Sequence, residues 1–219
     1  MKKSVLISVT AGVLASTLLN ACFPIVAGTM VTSALVAADR RSSGILLEDK
    51  ELAIRIGNRI SAKYGDDAHI NVSSFNRIVL LTGEVKNEEV RAGVEKIAKD
   101  AENVRSVVNE SAIAITSSIS DRTRDTYLAE KIRAHFITDG HFQANVVSTV
   151  VERQEVFLMG IVTPAEGEEA ARVASNTSGV ARVVKLFEYV EPSKLPPLPA
   201  VQDSAGQKAP APISSPQSN

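Results

Sequence analysis

The sequence predicts an α/β (α+β) chain built from two tandem copies of one small module. The first observation behind this is a repeat: Asp49, Leu52, Ile56 and Ile60 match Asp125, Leu128, Ile132 and Phe136 at an offset of 76. Val79 to Val85 (VLLTGEV) matches Val156 to Val162 (VFLMGIV) at 77, and Val104, Val107 and Val108 return at 76 with Val180, Val183 and Val184. Such a period suits a small domain and is too long for one unit of a solenoid. The second observation is periodicity, since apolar spacing inside each copy switches between four-residue and two-residue intervals. Each copy therefore reads helix, strand, strand, helix, strand. The third is charge: 24 basic against 25 acidic side chains give a net charge of -1, which makes nucleic acid a poor partner.

The chain begins with a targeting pattern. Lys2 and Lys3 precede the apolar run Ser4 to Leu19, and no further charge occurs before Asp39. Leu19-Asn20-Ala21-Cys22 resembles the bacterial lipobox, in which a small residue precedes a cysteine that receives diacylglycerol and then a third acyl chain of the palmitate class. Asn20 departs from the small or aliphatic residue usual there. Residues 1–21 are accordingly expected to be a lipoprotein signal peptide, and Cys22, the only cysteine, the lipidation site. A plain transmembrane anchor or secretory signal is the alternative. Each buried methylene contributes about 0.8 kcal/mol, so three chains would anchor permanently. Phe23 follows the cysteine; the resemblance to enterobacterial lipoproteins implies that aspartate there favours the inner membrane, so its absence favours the outer one. Residues 22–47 form a membrane-proximal leader, interrupted by Pro24 and Gly28 and short for a membrane span.

The elements of the copies follow in order. Leu52, Ile56 and Ile60 recur as on a helix face, with Asp49 a candidate N-cap. Val79, Leu81, Gly83 and Val85 alternate as on a strand, and Gly83 and Gly160 mark a bulge or a close helix approach. The next helix of the first copy starts near Asn87, presents Val90, Val94, Ile97 and Ala101, and stops before Val104. In the second copy Thr163-Pro164-Ala165-Glu166 is a capping box with proline at its first helical position, and Ser178-Gly179 ends the helix. The copies span residues 48–115 and 125–190, joined by a polar linker at 116–124. Residues 191–219 hold seven of the nine prolines and read as a disordered tail.

Ile70-x-Val72, then Val79-x-Leu81-x-Gly83-x-Val85, the following helix and the closing Val104-x-x-Val107-Val108 resemble a BON module, and the second copy repeats them. With the lipobox, the chain is similar to the dual BON-domain outer-membrane lipoproteins of the DolP (YraP) type over roughly residues 1 to 190. The resemblance implies two small mixed β-sheets, each packed against two helices. It also implies a lipid-anchored outer-membrane protein facing the periplasm, with anionic phospholipids of the inner leaflet as partners and a role in the permeability barrier.

Duplication provides an internal control, because features shared by both copies serve the fold and differences are where function can reside. On the first helix of the second copy Arg124, Tyr127, Lys131 and His135 fall at i, i+3, i+7 and i+11, on one stripe beside the core face. Glu51 stands where Tyr127 recurs, and Arg55 where Lys131 does. A tyrosine among cations suits an anionic lipid surface, with its ring in the interface and the cations on phosphates. A solvated flank with Tyr127 lying over the core edge is the plainer reading of the same residues. The off-face residues Leu80, Thr82 and Glu84 become Phe157, Met159 and Ile161. The second copy's strand is thus apolar on both faces, so its outer face is expected to be covered by the first copy, its linker or an oligomer contact.

Nothing points to catalysis or to a cofactor. His69, His135 and His141 match no metal spacing, so no metal is expected. No GxSxG elbow occurs. Gly65-Asp66-Asp67 reads as a turn, and Glu88-Glu89 and Glu168-Glu169 as helix-surface acids. The expectation is a non-enzymatic lipid-binding module pair; the alternative is a scaffold that binds outer-membrane assembly proteins and touches lipid only through its acyl anchor.

Overall fold

The computed structural model describes residues 39–194. The signal peptide, Cys22, most of the leader and the tail beyond Lys194 lie outside the described residues. The first module comprises α1 (Ser43–Tyr64), β1 (Ala68–Phe75), β2 (Ile78–Val85), α2 (Glu88–Lys99), β3 (Ser106–Asn109) and β4 (Ala112–Ile113). The second comprises α3 (Ile119–Asp139), β5 (Val147–Glu152), β6 (Glu155–Val162), α4 (Pro164–Ser175) and β7 (Arg182–Tyr189). In each, the first two strands form an antiparallel hairpin and the strand after the second helix joins the central strand in parallel, giving the orders β1-β2-β3 and β5-β6-β7. Short β4 extends the β3 edge along β2.

The expected cores are in place. Leu52, Ile56 and Ile60 of α1 and Val90, Val94 and Ile97 of α2 pack on Val79, Leu81 and Val85. Leu128, Ile132 and Phe136 of α3 and Ala170, Val173 and Ala174 of α4 pack on Val156, Leu158 and Val162. The opposite sheet faces meet each other: Phe75 and Leu80 of the first module pack with Phe157 and Met159 of the second. The result is four layers, helices, sheet, sheet and helices, and the both-faces-apolar β6 is covered by the first copy.

Three local expectations are corrected. Asp49 is not the N-cap of α1; Ser42 is, and its side chain accepts from Ile45 N–H. Asp49 is instead buried, as is Asp125, because each is needed elsewhere. The β1–β2 loop is the pair Asn76-Arg77 and the β5–β6 loop the pair Arg153-Gln154, all four at positive φ. Such two-residue turns favour Asn-Gly or Asp-Gly. Here a buried carboxylate accepts both turn amides instead: Asp49 from Asn76 and Arg77 at 2.8 Å each, Asp125 from Arg153 at 2.8 Å and Gln154 at 2.9 Å. Second, the stretch 116–124 is a linker only to Thr116-Ser117, since Ser118 caps α3 and helix begins at Ile119. Its polar residues ride on exposed helix flanks, which a composition reading cannot tell from a loop. Third, α4 ends at Ser175, before Ser178-Gly179.

Gly83 and Gly160 are explained by strand contact and not by helix approach. A Cβ on Gly83, at φ +103, would stand 2.1 Å from the His69 carbonyl oxygen, and one on Gly160 2.6 Å from that of Val146. At α4 the expected capping box holds, with Thr163 and Glu166 reciprocally bonded, and α2 starts as expected next to Asn87, which proves to be its cap by accepting from Val90 N–H.

Candidate functional site

Helix α3 turns Asp125, Leu128, Ile132 and Phe136 into the core. Its neighbouring flank carries the four residues singled out above, of which the structure places Lys131 and His135 against the loop that follows α4. Lys131 Nζ donates to the Ser178 carbonyl at 3.1 Å, and His135 Nδ1 shares a 2.9 Å hydrogen bond with Thr177 Oγ1. Thr177 in turn donates to the Val173 carbonyl, so this end of the flank is tied to α4. Arg124 pairs with Asp121 at 3.1 Å, an exposed i,i+3 contact of small energetic weight. Tyr127 is 69% exposed. Most of its surface faces solvent.

Two further residues on this helix escaped the sequence reading. Ile119 and Ile137 are both largely exposed. They are 18 residues apart, five helical turns, and so lie along one line. Tyr127 sits about 80° around the helix from that line, toward the cations. The signal was present as apolar residues outside the core periodicity, but isolated surface apolar residues are common. The exposed face of α3 therefore carries Tyr127 at its middle, with Arg124, Lys131 and His135 to one side and the Ile119–Ile137 line to the other. The corresponding helix α1 differs: it exposes Leu47 and Ile54 but no aromatic, and Glu51 pairs with Arg55, which also donates to the Glu102 carbonyl.

At the C-terminal end of the flank lies an open cavity of about 370 Å³ lined by His135, Thr138, Asp139, Arg172, Val173 and Asn176. Ligand atoms of Asp139, His141 and Glu169 lie within 4.8 Å of one another there, an arrangement their sequence spacing did not suggest. Arg172 already serves this cluster as its cation, 3.1 Å from Asp139 and in contact with Glu169. The guanidinium's hydrogen bond holds the Glu169 carboxyl down to about 2. No described helix is long and apolar enough to cross a membrane.

Comparison with known proteins fits this architecture. The BON domain family model matches residues 48–114 and again 124–191. The chain is 32% identical over 179 residues to an outer membrane lipoprotein DolP of Haemophilus influenzae, covering 81% of this chain and 93% of that protein. It is 30% identical over 155 residues to a 21 kDa hemolysin of Actinobacillus pleuropneumoniae, covering 70% of this chain and 80% of that one.

Proposed function

From membership of the dual BON-domain outer-membrane lipoproteins of the DolP type, the family to which this chain belongs, we propose that the protein binds anionic phospholipid of the inner leaflet through the α3 flank. In this reading Cys22 carries the acyl anchor, the second module lies on the membrane, and the contact supports the permeability barrier. The observation that carries it is the exposed face of α3, where the largely exposed Tyr127 stands between Arg124, Lys131 and His135 on one side and the exposed Ile119 and Ile137 on the other. Aromatic and aliphatic side chains enter the headgroup boundary while cations meet phosphate, each basic residue contributing about 1 kcal/mol near an anionic surface. The leader is long enough: the residues between Cys22 and Asp39 span up to roughly 55–60 Å when extended. That exceeds the length of α3, about 31 Å.

The test uses the full mature chain with Cys22→Ser, so that no acyl chain contributes. Sedimentation with vesicles containing anionic lipid is compared with purely zwitterionic vesicles. Tyr127→Glu combined with Lys131→Glu is expected to weaken anionic-vesicle binding at least tenfold, consistent with reversing one basic contact. Circular dichroism should be unchanged, since Tyr127 is exposed. Undiminished binding by the folded double variant overturns the assignment. Absence of vesicle binding by the parent chain, together with retention of an outer-membrane assembly protein, favours the scaffold reading.

A further inference from the structure

The seam between the two sheets is apolar at its centre and acidic along the side of β5. Glu84 of β2 is 1% exposed. One of its oxygens accepts from Ser117 Oγ and lies 3.7 Å from Arg153 Nη1. The other, Oε2, is buried without a hydrogen-bond partner among the described residues. Glu152, the last residue of β5, is 7% exposed. Its Oε2 accepts from Asn71 Nδ2 of the first module at 2.7 Å and lies 3.5 Å from Thr82 Oγ1. Among the described residues no cation pairs with Glu152.

Of the other charged groups around it, Arg122 and the exposed Glu130 of α3 line the open groove that Glu152 borders. Asp125 of α3 is committed to the turn amides. His69 of β1 has its Nε2 3.2 Å from Arg122 Nη1 of α3, where the imidazole must accept because arginine only donates. Arg153 reaches toward Glu84 from the turn. A carboxylate removed from water without a cation favours its protonated form. Glu84 Oε2, on β2 of the first module, adds a second buried carboxylate oxygen to the same seam.

We propose that Glu152, facing Glu84 across the module seam, is a proton-operated latch: protonated, it lets the β5 side of the sheet pair close, and ionised, it loosens that side and admits water to the apolar faces of β2 and β6. The other side is held independently, since β7 is tied to the first module by Arg105–Glu188 and Arg182–Glu110. The latch therefore grades one side of the seam and leaves the pair joined. Burial is the largest influence on the Glu152 carboxyl and pushes it up. The Asn71 hydrogen bond pulls it down, Glu84 and Asp125 push it up, His69 pulls it down, and the net direction is up from the ordinary 4.5. An acid raised in the closed state binds its proton more tightly closed than open. The latch's contribution to closure is therefore fully present below about 4.5 and is lost as pH rises through the higher closed-state value.

Met159 reports the seam, because its side chain is buried there between the sheets. The full chain is treated with dilute hydrogen peroxide at pH 5 to 8, and sulfoxide at Met159 is followed by mass spectrometry of its peptide. The wild-type rate is expected to rise severalfold across this range, toward tenfold if the shift reaches one pKa unit. Helical circular dichroism should stay constant. Glu152→Gln, neutral at every pH, is expected to oxidise slowly and without the rise. A wild-type rate independent of pH, or a Glu152→Gln protein that keeps the rise, overturns the latch. Should Glu152→Gln fail to fold, Glu84→Gln removes the facing charge and is expected to flatten the rise; its retention is equally decisive against it.

Discussion

The two modules share a frame and spend their differences in two places. Both place an aspartate from the first helix under the hairpin turn, but Asp49 also accepts from Ser74 Oγ and from Arg41, whose guanidinium stacks 3.9 Å above Phe75. Asp125 is bonded to its two turn amides alone. Both central strands need a glycine where the neighbouring strand crosses, yet only Gly83 also takes a positive φ. Against this common skeleton stand the seam, where Leu80, Thr82 and Glu84 face Phe157, Met159 and Ile161, and the first-helix flank, where Glu51 gives way to Tyr127. The skeleton is what makes a BON module fold. The seam makes one body of two modules, and the α3 flank gives one of them a surface the other lacks.

The asymmetry can be broken experimentally, beginning with the glycines. Gly83→Ala forces both a 2.1 Å approach to a backbone oxygen and a left-handed backbone on alanine, whereas Gly160→Ala forces only a 2.6 Å approach. We expect losses of about 4 and about 2 kcal/mol in urea unfolding; equal losses would erase this distinction between the modules. Next come the turn aspartates. Asp49→Ala strands two turn amides, a serine hydroxyl and one side of Arg41, and is expected to cost about 3 kcal/mol, against about 2 for Asp125→Ala. Hydrogen exchange of the amides at 76–77 and 153–154 should localise each loss to its own hairpin. The smallest effect belongs to the helix starts. Thr163→Ala removes one half of a reciprocal box and Asn87→Ala a single cap, each worth about 1 kcal/mol, read as a shift in thermal midpoint.

A separate fastening joins the modules at their N-terminal approach. Arg40, with its side chain 4% exposed, makes a bidentate pair with Glu166 of α4 and donates to the Ile161 carbonyl, while Arg41 bridges Asp39 and Asp49 of the first module. Consecutive arginines thus bind different modules. Hydrogen bonds from Arg40 and from Thr163 N–H hold the Glu166 carboxyl below its ordinary range, against a desolvation that pushes it up. Residues 39–41 are thereby fastened to both modules.

Much of the fold was legible because it is written in local, periodic chemistry. The repeat, the core triads Leu52/Ile56/Ile60 and Leu128/Ile132/Phe136, the helix start near Asn87, the cap at Thr163 and the need to cover β6 all follow from spacing within short windows. The BON resemblance rested on equally local patterns, Ile70-x-Val72, Val79-x-Leu81-x-Gly83-x-Val85 and Val104-x-x-Val107-Val108. What stayed hidden depends on which surfaces meet. Asp49 looked like a helix cap because a lone aspartate near a helix start usually is one; only hairpin closure against the helix shows that it, like Asp125, holds a two-residue turn. Of the α3 flank, the order of Arg124, Tyr127, Lys131 and His135 was readable, but their ties to Asp121, Ser178 and Thr177 and the exposure of Ile119 and Ile137 were not. The sequence by itself determined two copies of an αββαβ module and their inward-facing residues, since hydrophobic periodicity decides each element's buried face. The tertiary structure alone decided that the two sheets stack on each other, that Glu84 and Glu152 are sealed into one edge of that stack, and that Arg40 and Arg41 reach opposite modules. Those outcomes arise from side chains far apart in the chain, whose burial and pairing are set only when the sheet faces come together.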